Sequence, residues 1–228
     1  MALTPDESKM SKQLITEQTI RELMSKGTKT LVLPRGAIVT PLAAELAASK
    51  GVKFEESKAV VKPVENEPSR AAKPVHGDAK VVAFGSDHGG FQLKETLKKH
   101  AESLGYQVVD VGTTSEDPCD YPDFAYAVAA MVSRGEASRG VMIDGAGIGS
   151  CVVANKVPGV RAACCHNEFV ARNAREHNDT NVLTLGSRVI GSEVSKEIMK
   201  VWLETWFAGG RHKQRVDKIT DVEKRFSK

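Results

Sequence analysis

Residues 81–204 alternate short apolar runs with helical periodicity, and this alternation constrains the fold more than any other feature of the chain. Val81-Val82-Ala83-Phe84, Gln107-Val108-Val109-Asp110-Val111, Val141-Met142-Ile143, Arg161 to Cys165 and Val182-Leu183-Thr184-Leu185 read as five strands. Between the first two, Leu93, Leu97, Ala101 and Leu104 recur at helical spacing and stop at Gly105. Pro122 opens a helix with Phe124, Val128 and Met131 on one face. Further helices are predicted from near Ser150, from Glu168 to Glu176, through Val194, Ile198, Val201 and Trp202, and after Arg211. Such alternation predicts an α/β fold: a parallel sheet with helices on both faces. Ligands of such sheets bind at the carboxyl ends of the strands.

Composition narrows the function classes. In 228 residues, 32 Lys and Arg stand against 29 Asp and Glu, a net charge of +3. That is too mild to argue for nucleic acid or an acidic membrane surface. No apolar run approaches the roughly 20 residues of a bilayer span. The start, Met1-Ala2-Leu3-Thr4-Pro5-Asp6-Glu7, lacks a basic stretch followed by an apolar one. A cytoplasmic protein is the expectation. Cys119, Cys151, Cys164 and Cys165 show neither a C-x-x-C pair nor zinc spacing, so buried reduced thiols are expected. No metal site and no cofactor is predicted.

The proline-bearing, charged stretch 57–78 reads as a linker. It divides an accessory module, residues 1–56, from a block at 79–228. In the module, Thr16 caps a helix bearing Ile20, Leu23 and Met24. Thr30 to Leu33 is a strand and Pro34-Arg35-Gly36 a turn. Thr40 then caps a second helix that carries Pro41 in its first turn and ends near Gly51.

Four places in the block carry chemistry. Gly85-Ser86-Asp87-His88-Gly89-Gly90 ends the first strand with an acid beside a histidine. Asp144-Gly145-Ala146-Gly147-Ile148-Gly149-Ser150 follows the third strand. Its glycines let backbone N–H groups approach a small oxyanion. The G-x-G-x-x-G dinucleotide pattern fails, since the sixth position is Ser150 or Val152. His177-Asn178-Asp179-Thr180-Asn181 precedes the fifth strand and sets a histidine among amides and an acid, as an acid/base catalyst needs. Arg211 and Arg215 lie four apart in Gly209-Gly210-Arg211-His212-Lys213-Gln214-Arg215, and two guanidinium forks match a phosphate. Each motif alone could be a solvated turn or helix start.

Taken in order, these motifs resemble the ribose-5-phosphate isomerase type B family, which includes galactose-6-phosphate isomerase subunits. The resemblance covers residues 79–228 and also draws on Asp120-Tyr121-Pro122, Ala154-Asn155-Lys156 and Gly186-Ser187-Arg188. It implies a Rossmann-like α/β/α three-layer sandwich with a five-stranded parallel sheet. It implies a homodimer or tetramer with active sites shared between subunits, and metal-free aldose–ketose isomerisation of a sugar phosphate. It assigns ring opening to His177 with Asp87 nearby, phosphate binding to His88, Arg188, Arg211, His212 and Arg215, and the sugar pocket to Tyr121; Asn178 is a further candidate for substrate binding.

The sequence departs from that family at the proton-abstracting position. The family's cysteine is replaced by Asp144, its alternative glutamate by Ser150, and its loop threonine by Ala146. A partly desolvated carboxylate can act as a base. Asp144 is therefore the expected C2 base, with Cys151 its rival, and the Gly145, Gly147 and Gly149 amides are the expected enediolate donors. The leading expectation is interconversion of ribose 5-phosphate and ribulose 5-phosphate. The alternatives are another substrate such as a hexose 6-phosphate, or a catalytically silent binder or scaffold. Separately, Leu31 to Pro41 resembles short modules on enzymes of bacterial microcompartments, which implies targeting of residues 1–56 to shell or cargo proteins.

Overall fold

The computed structural model describes residues 12–56 and 80–226. They fall into two compact units. The predicted linker, 57–78, lies outside the described residues.

The first unit is a pair of interlocked β-α-β repeats. Strand β1 (Leu14–Ile15), helix α1 (Glu17–Ser25) and strand β2 (Thr30–Leu33) form one. Strand β3 (Ile38–Val39), helix α2 (Pro41–Lys50) and strand β4 (Lys53–Glu56) form the other. The sequence repeats with them: Thr16 recurs as Thr40, and Ser25-Lys26-Gly27 as Ser49-Lys50-Gly51. Each threonine caps its helix, accepting at 3.3 Å from the N–H of Thr19 or Ala43. Strands pair only between repeats, β1 with β3 and β2 with β4, both parallel. Ile15, Ile20, Ala43, Ala47 and Val52 form the shared core.

The second unit has the expected three layers. Its strands are β5 (Val81–Ser86), β6 (Gln107–Asp110), β7 (Arg139–Asp144), β8 (Ala162–Cys164) and β9 (Val182–Gly186). They form one parallel sheet in the order β6-β5-β7-β9-β8. Its helices are α3 (Phe91–Ser103), α4 (Tyr121–Ser133), α5 (Ile148–Ala154), α6 (Glu168–Asn178), α7 (Ser192–Glu204) and α8 (Arg211–Phe226). Val82, Phe84, Val141, Ile143, Leu183 and Leu185 project from one face onto Leu97 of α3, Ala171 of α6 and Ile198, Met199 and Trp202 of α7. Helices α4 and α5 cover the other face. Helix α4 comes close because Gly85 and Gly140 lack side chains: a Cβ at either would meet Val128 at about 2.6 or 2.5 Å.

Two packing details bear on the site. Lys94 of α3 is wholly buried. Its ammonium donates to both carboxylate oxygens of Asp110 (2.9 and 2.7 Å) and to the Thr113 carbonyl (2.7 Å), fixing the chain after β6. The sheet also has a switch point. The chain leaves β5 for β6 on one side and then returns to place β7 on the other. The carboxyl ends of β5 and β7 therefore flank a crevice.

Candidate active site

The residues after β5, β7 and β9 meet at this crevice. Ser187 and Arg188 donate their N–H groups to the carbonyls of Asp144 (2.8 Å) and Gly145 (3.1 Å). Ser187 Oγ donates to the Gly89 carbonyl at 2.7 Å. Arg188 is exposed at the rim, with its stem alongside Gly145. Gly147 has φ 79°, and a Cβ there would lie 2.9 Å from Cys164 Sγ and 3.0 Å from the Gly186 nitrogen. Glycine is thus required on both counts.

Asp144, the expected C2 base, is held by its own loop. It is 5 % exposed, and its carboxylate faces back into its own loop. Oδ1 accepts from the N–H groups of Ala146 (2.8 Å) and Gly147. Oδ2 accepts from the Ser150 N–H (3.0 Å) and hydroxyl (2.5 Å). A carboxylate offers about four acceptor positions, and four donors fill them. To take a proton from carbon it must first give up a loop contact. The Gly147 amide, expected to serve an enediolate, is likewise already engaged. Cys151 is not placed as a substitute. Its thiol turns towards the carbonyl of Ala162, the first residue of β8, at 3.5 Å. Asn155 pairs with that residue's N–H and carbonyl (2.9 and 3.0 Å), covering the outer edge of β8 as a strand would.

The β5 end is more open. Asp87 is 8 % exposed. Its Oδ1 accepts the Gly90 N–H at 2.9 Å, capping the single 3-10 turn His88–Gly90. Its Oδ2 makes no hydrogen bond among the described residues. His88 Nδ1 lies 3.2 Å from both the amide nitrogen and the carbonyl oxygen of Cys119, so that backbone serves either tautomer. Cys119 also brings its thiol to 3.9 Å from Nδ1. Burial pushes that thiol up, against the His88 contact, and the carboxylates of Asp87 and Asp120 add to the rise. Tyr121 opens α4 and lies against Gly149, where a Cβ would come within 2.6–2.8 Å of its ring and hydroxyl. The cysteines were expected to be buried; only Cys165 is, and the other three are half-buried free thiols.

His177 and His212 form a second cluster. Their rings stack with centroids 4.1 Å apart and planes 6° apart. Asn173, one turn before His177, approaches its Nδ1 at 2.9 Å. His212 is 8 % exposed, and its buried Nδ1 has no partner among the described residues. Burial lowers its pKa, and His177, Arg211 and Arg215 lower it further against Glu176. Arg211, Arg215 and the Asn178 side chain are exposed around this pair.

The two clusters sit at opposite ends of the sheet. His177 is in the last turn of α6, which leads into the amino end of β9, whereas Arg188 follows the carboxyl end of the same strand. Five residues of strand at about 3.3 Å each separate those ends. The sequence motifs therefore form two half-sets, and a single chain does not close them around one small ligand.

Neither Asn173, the neighbour of His177, nor the Cys119 backbone that holds His88 stood out in the sequence. The four-residue spacing of Asn173 and His177 on one helix face was the available signal for the first. Among the described residues no three His, Cys, Asp or Glu side chains gather as a metal would require. No described helix is long and apolar enough to cross a membrane.

An open parallel sheet with Asp87, His88 and Asp144 at its switch point and the stacked His177–His212 pair at its other end defines a Rossmann-like α/β protein. More narrowly, the chain belongs to the Ribose/Galactose Isomerase family, whose model matches residues 82–219. It is 47% identical over 146 residues to ribose-5-phosphate isomerase B of Escherichia coli, covering 64% of this chain and 98% of that one. Among solved structures it resembles ribose-5-phosphate isomerase B of Clostridium thermocellum, with 48% identity and a TM-score of 0.64 over 64% of this chain and 99% of that one. It also resembles the Mycoplasma genitalium enzyme solved with bound ribulose-5-phosphate, with 40% identity and a TM-score of 0.61 over 63% and 96% of the two chains. The unit at 12–56 lies outside the matched residues.

Proposed function

We propose that this chain is an aldose–ketose isomerase that interconverts ribose 5-phosphate and ribulose 5-phosphate through an enediolate. The observation that carries this reading is His212. Its imidazole, with Nδ1 unpartnered among the described residues, stacks on His177 beside the exposed Arg211 and Arg215, and two guanidinium forks next to a histidine pair suit an anion. A phosphate monoester supplies that charge, and the relatives named above act on, or are seen holding, a sugar of this kind.

In this reading the active site forms between two copies of the chain. One contributes Asp87, His88, Tyr121, Asp144 and Arg188; the other contributes His177, Asn178, Arg211, His212 and Arg215. The separation of the half-sets along β9 supports this arrangement. His177 gives a proton to the ring oxygen as the C1–O4 bond breaks and the anomeric hydroxyl proton passes to water, which opens the furanose. A proton then moves from C2 to C1 while the O2 hydroxyl proton passes to O1. Asp87 is the crevice carboxylate with an oxygen left over, and we assign the C2-to-C1 transfer to it. Asp144 holds the loop, so that the Gly145 and Gly149 amides remain available to the enediolate oxygen. Proton transfer by a placed group contributes roughly 10²–10⁴-fold.

Complementation tests the shared site. Asp87→Asn and His177→Ala are each expected to be nearly inactive alone. Mixed and reassociated, they form dimers in which one of the two sites carries neither substitution, and activity returns. A mixture as inactive as its components contradicts the shared site.

Residues 1–56 carry a separate proposal, that they direct the enzyme to a protein-shelled compartment. The supporting feature is the Leu31–Pro41 resemblance. A full-length fluorescent fusion in a host making such shells should form puncta that vanish when residues 1–56 are removed. Diffuse signal from the full-length fusion counts against it.

A further inference from the structure

The turn that carries His177 into β9 is held from outside. Asp179 has a left-handed backbone, φ 46°, and is the one non-glycine residue with positive φ among the described residues. That conformation is disfavoured for a residue with a Cβ, and Asp adopts it where its side chain is hydrogen-bonded locally. Two guanidinium groups hold that side chain. Asp179 Oδ2 accepts from Arg161 Nη2 at 2.9 Å and Oδ1 from Arg175 Nη1 at 2.9 Å. Arg161 also reaches the main chain: Nε donates to the carbonyls of Asn178 (3.0 Å) and Asp179 (3.1 Å), and Nη2 to that of Asp179 (2.8 Å).

Arg175 is anchored in the core. It is 1 % exposed, donates to the carbonyls of Thr180 and Thr205, and lies 5.8 Å from the Trp202 ring centroid. Trp202 in turn donates from Nε1 to Thr180 Oγ1 at 2.9 Å. Asn181 accepts from the Arg161 N–H and donates to the Gly159 carbonyl, both at 2.8 Å. Asp179, Thr180 and Asn181 thus devote their polar atoms to the turn. The side chains of His177 and Asn178 take no part in it; His177 instead meets Asn173 and His212.

We propose that Arg161, Arg175 and Asp179 form a clamp that fixes the orientation of His177, with Asp179 a positioning residue for proton transfer at the sugar ring oxygen. The catalytic half of this statement rests on the role of His177 given above; the geometric half does not. The clamp acts on the last turn of α6, where the ring is stacked on His212. Without it the turn is free to leave the left-handed conformation and to carry the last turn of α6 with it, which shifts the imidazole off its Asn173 contact and its stack on His212.

The full-length protein, with isotope-labelled histidine, provides the test. Stacked imidazoles shield one another, so the ring signals of His177 and His212 should lie upfield. Asp179→Gly keeps the left-handed backbone accessible while removing the carboxylate. In this variant the upfield shift should be lost, with methyl signals from β9 and α7 unmoved. If methyl signals move too, Arg161→Lys, which keeps the charge but not the fork, is read the same way. Kinetics read the consequence. The kcat for ribose 5-phosphate should fall by up to about 10²-fold with KM little changed. A tetrose 4-phosphate, whose phosphorylated O4 prevents furanose closure, needs no ring opening and should lose far less. Retention of the upfield shift in both variants overturns the clamp. Equal losses on both sugars overturn the positioning role. If His177→Ala itself turns over ribose 5-phosphate normally, the ring-opening assignment fails instead, and the NMR result alone judges the clamp.

Discussion

His177 and His212 stack almost in parallel, 4.1 Å between ring centroids, although 35 positions of sequence separate them. Two protonated imidazoles in that geometry would repel, and Arg211 and Arg215 stand nearby. Burial, with these charges, holds His212 below the ordinary histidine value of 6.5. The folded chain therefore takes up this proton at lower pH than the unfolded chain does. The associated stability is complete above about pH 6.5 and is lost as pH falls through the folded-state value. Urea midpoints measured from about pH 7.5 down to about pH 5 should fall more for the unsubstituted protein than for His212→Gln. Inorganic phosphate should oppose the fall, because an anion at this cluster favours the charged ring.

Asp144 and Ser150 make the second prediction. Asp144→Asn puts an NH₂ group where the Ser150 N–H and hydroxyl now donate, or where the Ala146 and Gly147 amides do. Each buried donor left unpaired costs about 1–3 kcal/mol. Stability should fall by about that amount or more in urea, with activity falling alongside it. Asp87→Asn should behave differently: near-normal stability and a loss of roughly 10²–10⁴ in turnover. Near-normal turnover in Asp87→Asn removes it as the group that moves the C2 proton.

Gly149 and Tyr121 test the sugar pocket. Gly149→Ala places a methyl group into the tyrosine ring, at a position where the ring has no room to stay. A displacement of about 1 Å in a binding group can cost up to about 10²-fold. KM should rise while the melting temperature moves little. An unchanged KM would place Tyr121 outside the pocket.

Lys94 and Asp110 test how the crevice is held. Lys94→Met removes a buried ammonium and strands part of the Asp110 carboxylate, which keeps Lys98 (2.6 Å) and the Gly112 N–H (2.9 Å). Breaking a buried pair costs about 3–5 kcal/mol, and the surviving partners place this one near the lower figure. Denaturant titration measures it. A change below about 1 kcal/mol would class the pair with ordinary surface ion pairs.

The sheet was legible because each of its strands is an apolar run bounded by turn residues, and Thr16, Thr40 and Gly51 mark helix ends by side-chain chemistry that acts locally. Strands β1 and β3 were not legible. Two residues carry no alternation, and these strands exist only because one repeat pairs with the other. Within the candidate site, residue types marked segments that the fold places at strand ends, but two relationships depend on tertiary geometry. Whether Asp144 faces the crevice or its own loop is set by backbone direction at Ala146 and Gly147. That His177 lies at the amino end of β9, away from Asp87, follows from the sense in which α6 returns to the sheet.

The most direct test uses ribose 5-phosphate deuterated at C2, incubated with the purified full-length protein in metal-chelated buffer and followed by NMR. The account predicts that ribulose 5-phosphate appears and that deuterium leaves C2 as it forms, with part of the label lost to solvent. Absence of ketose, with phosphate-competitive binding of the sugar intact, would contradict it and make the chain a binder rather than an isomerase of this sugar.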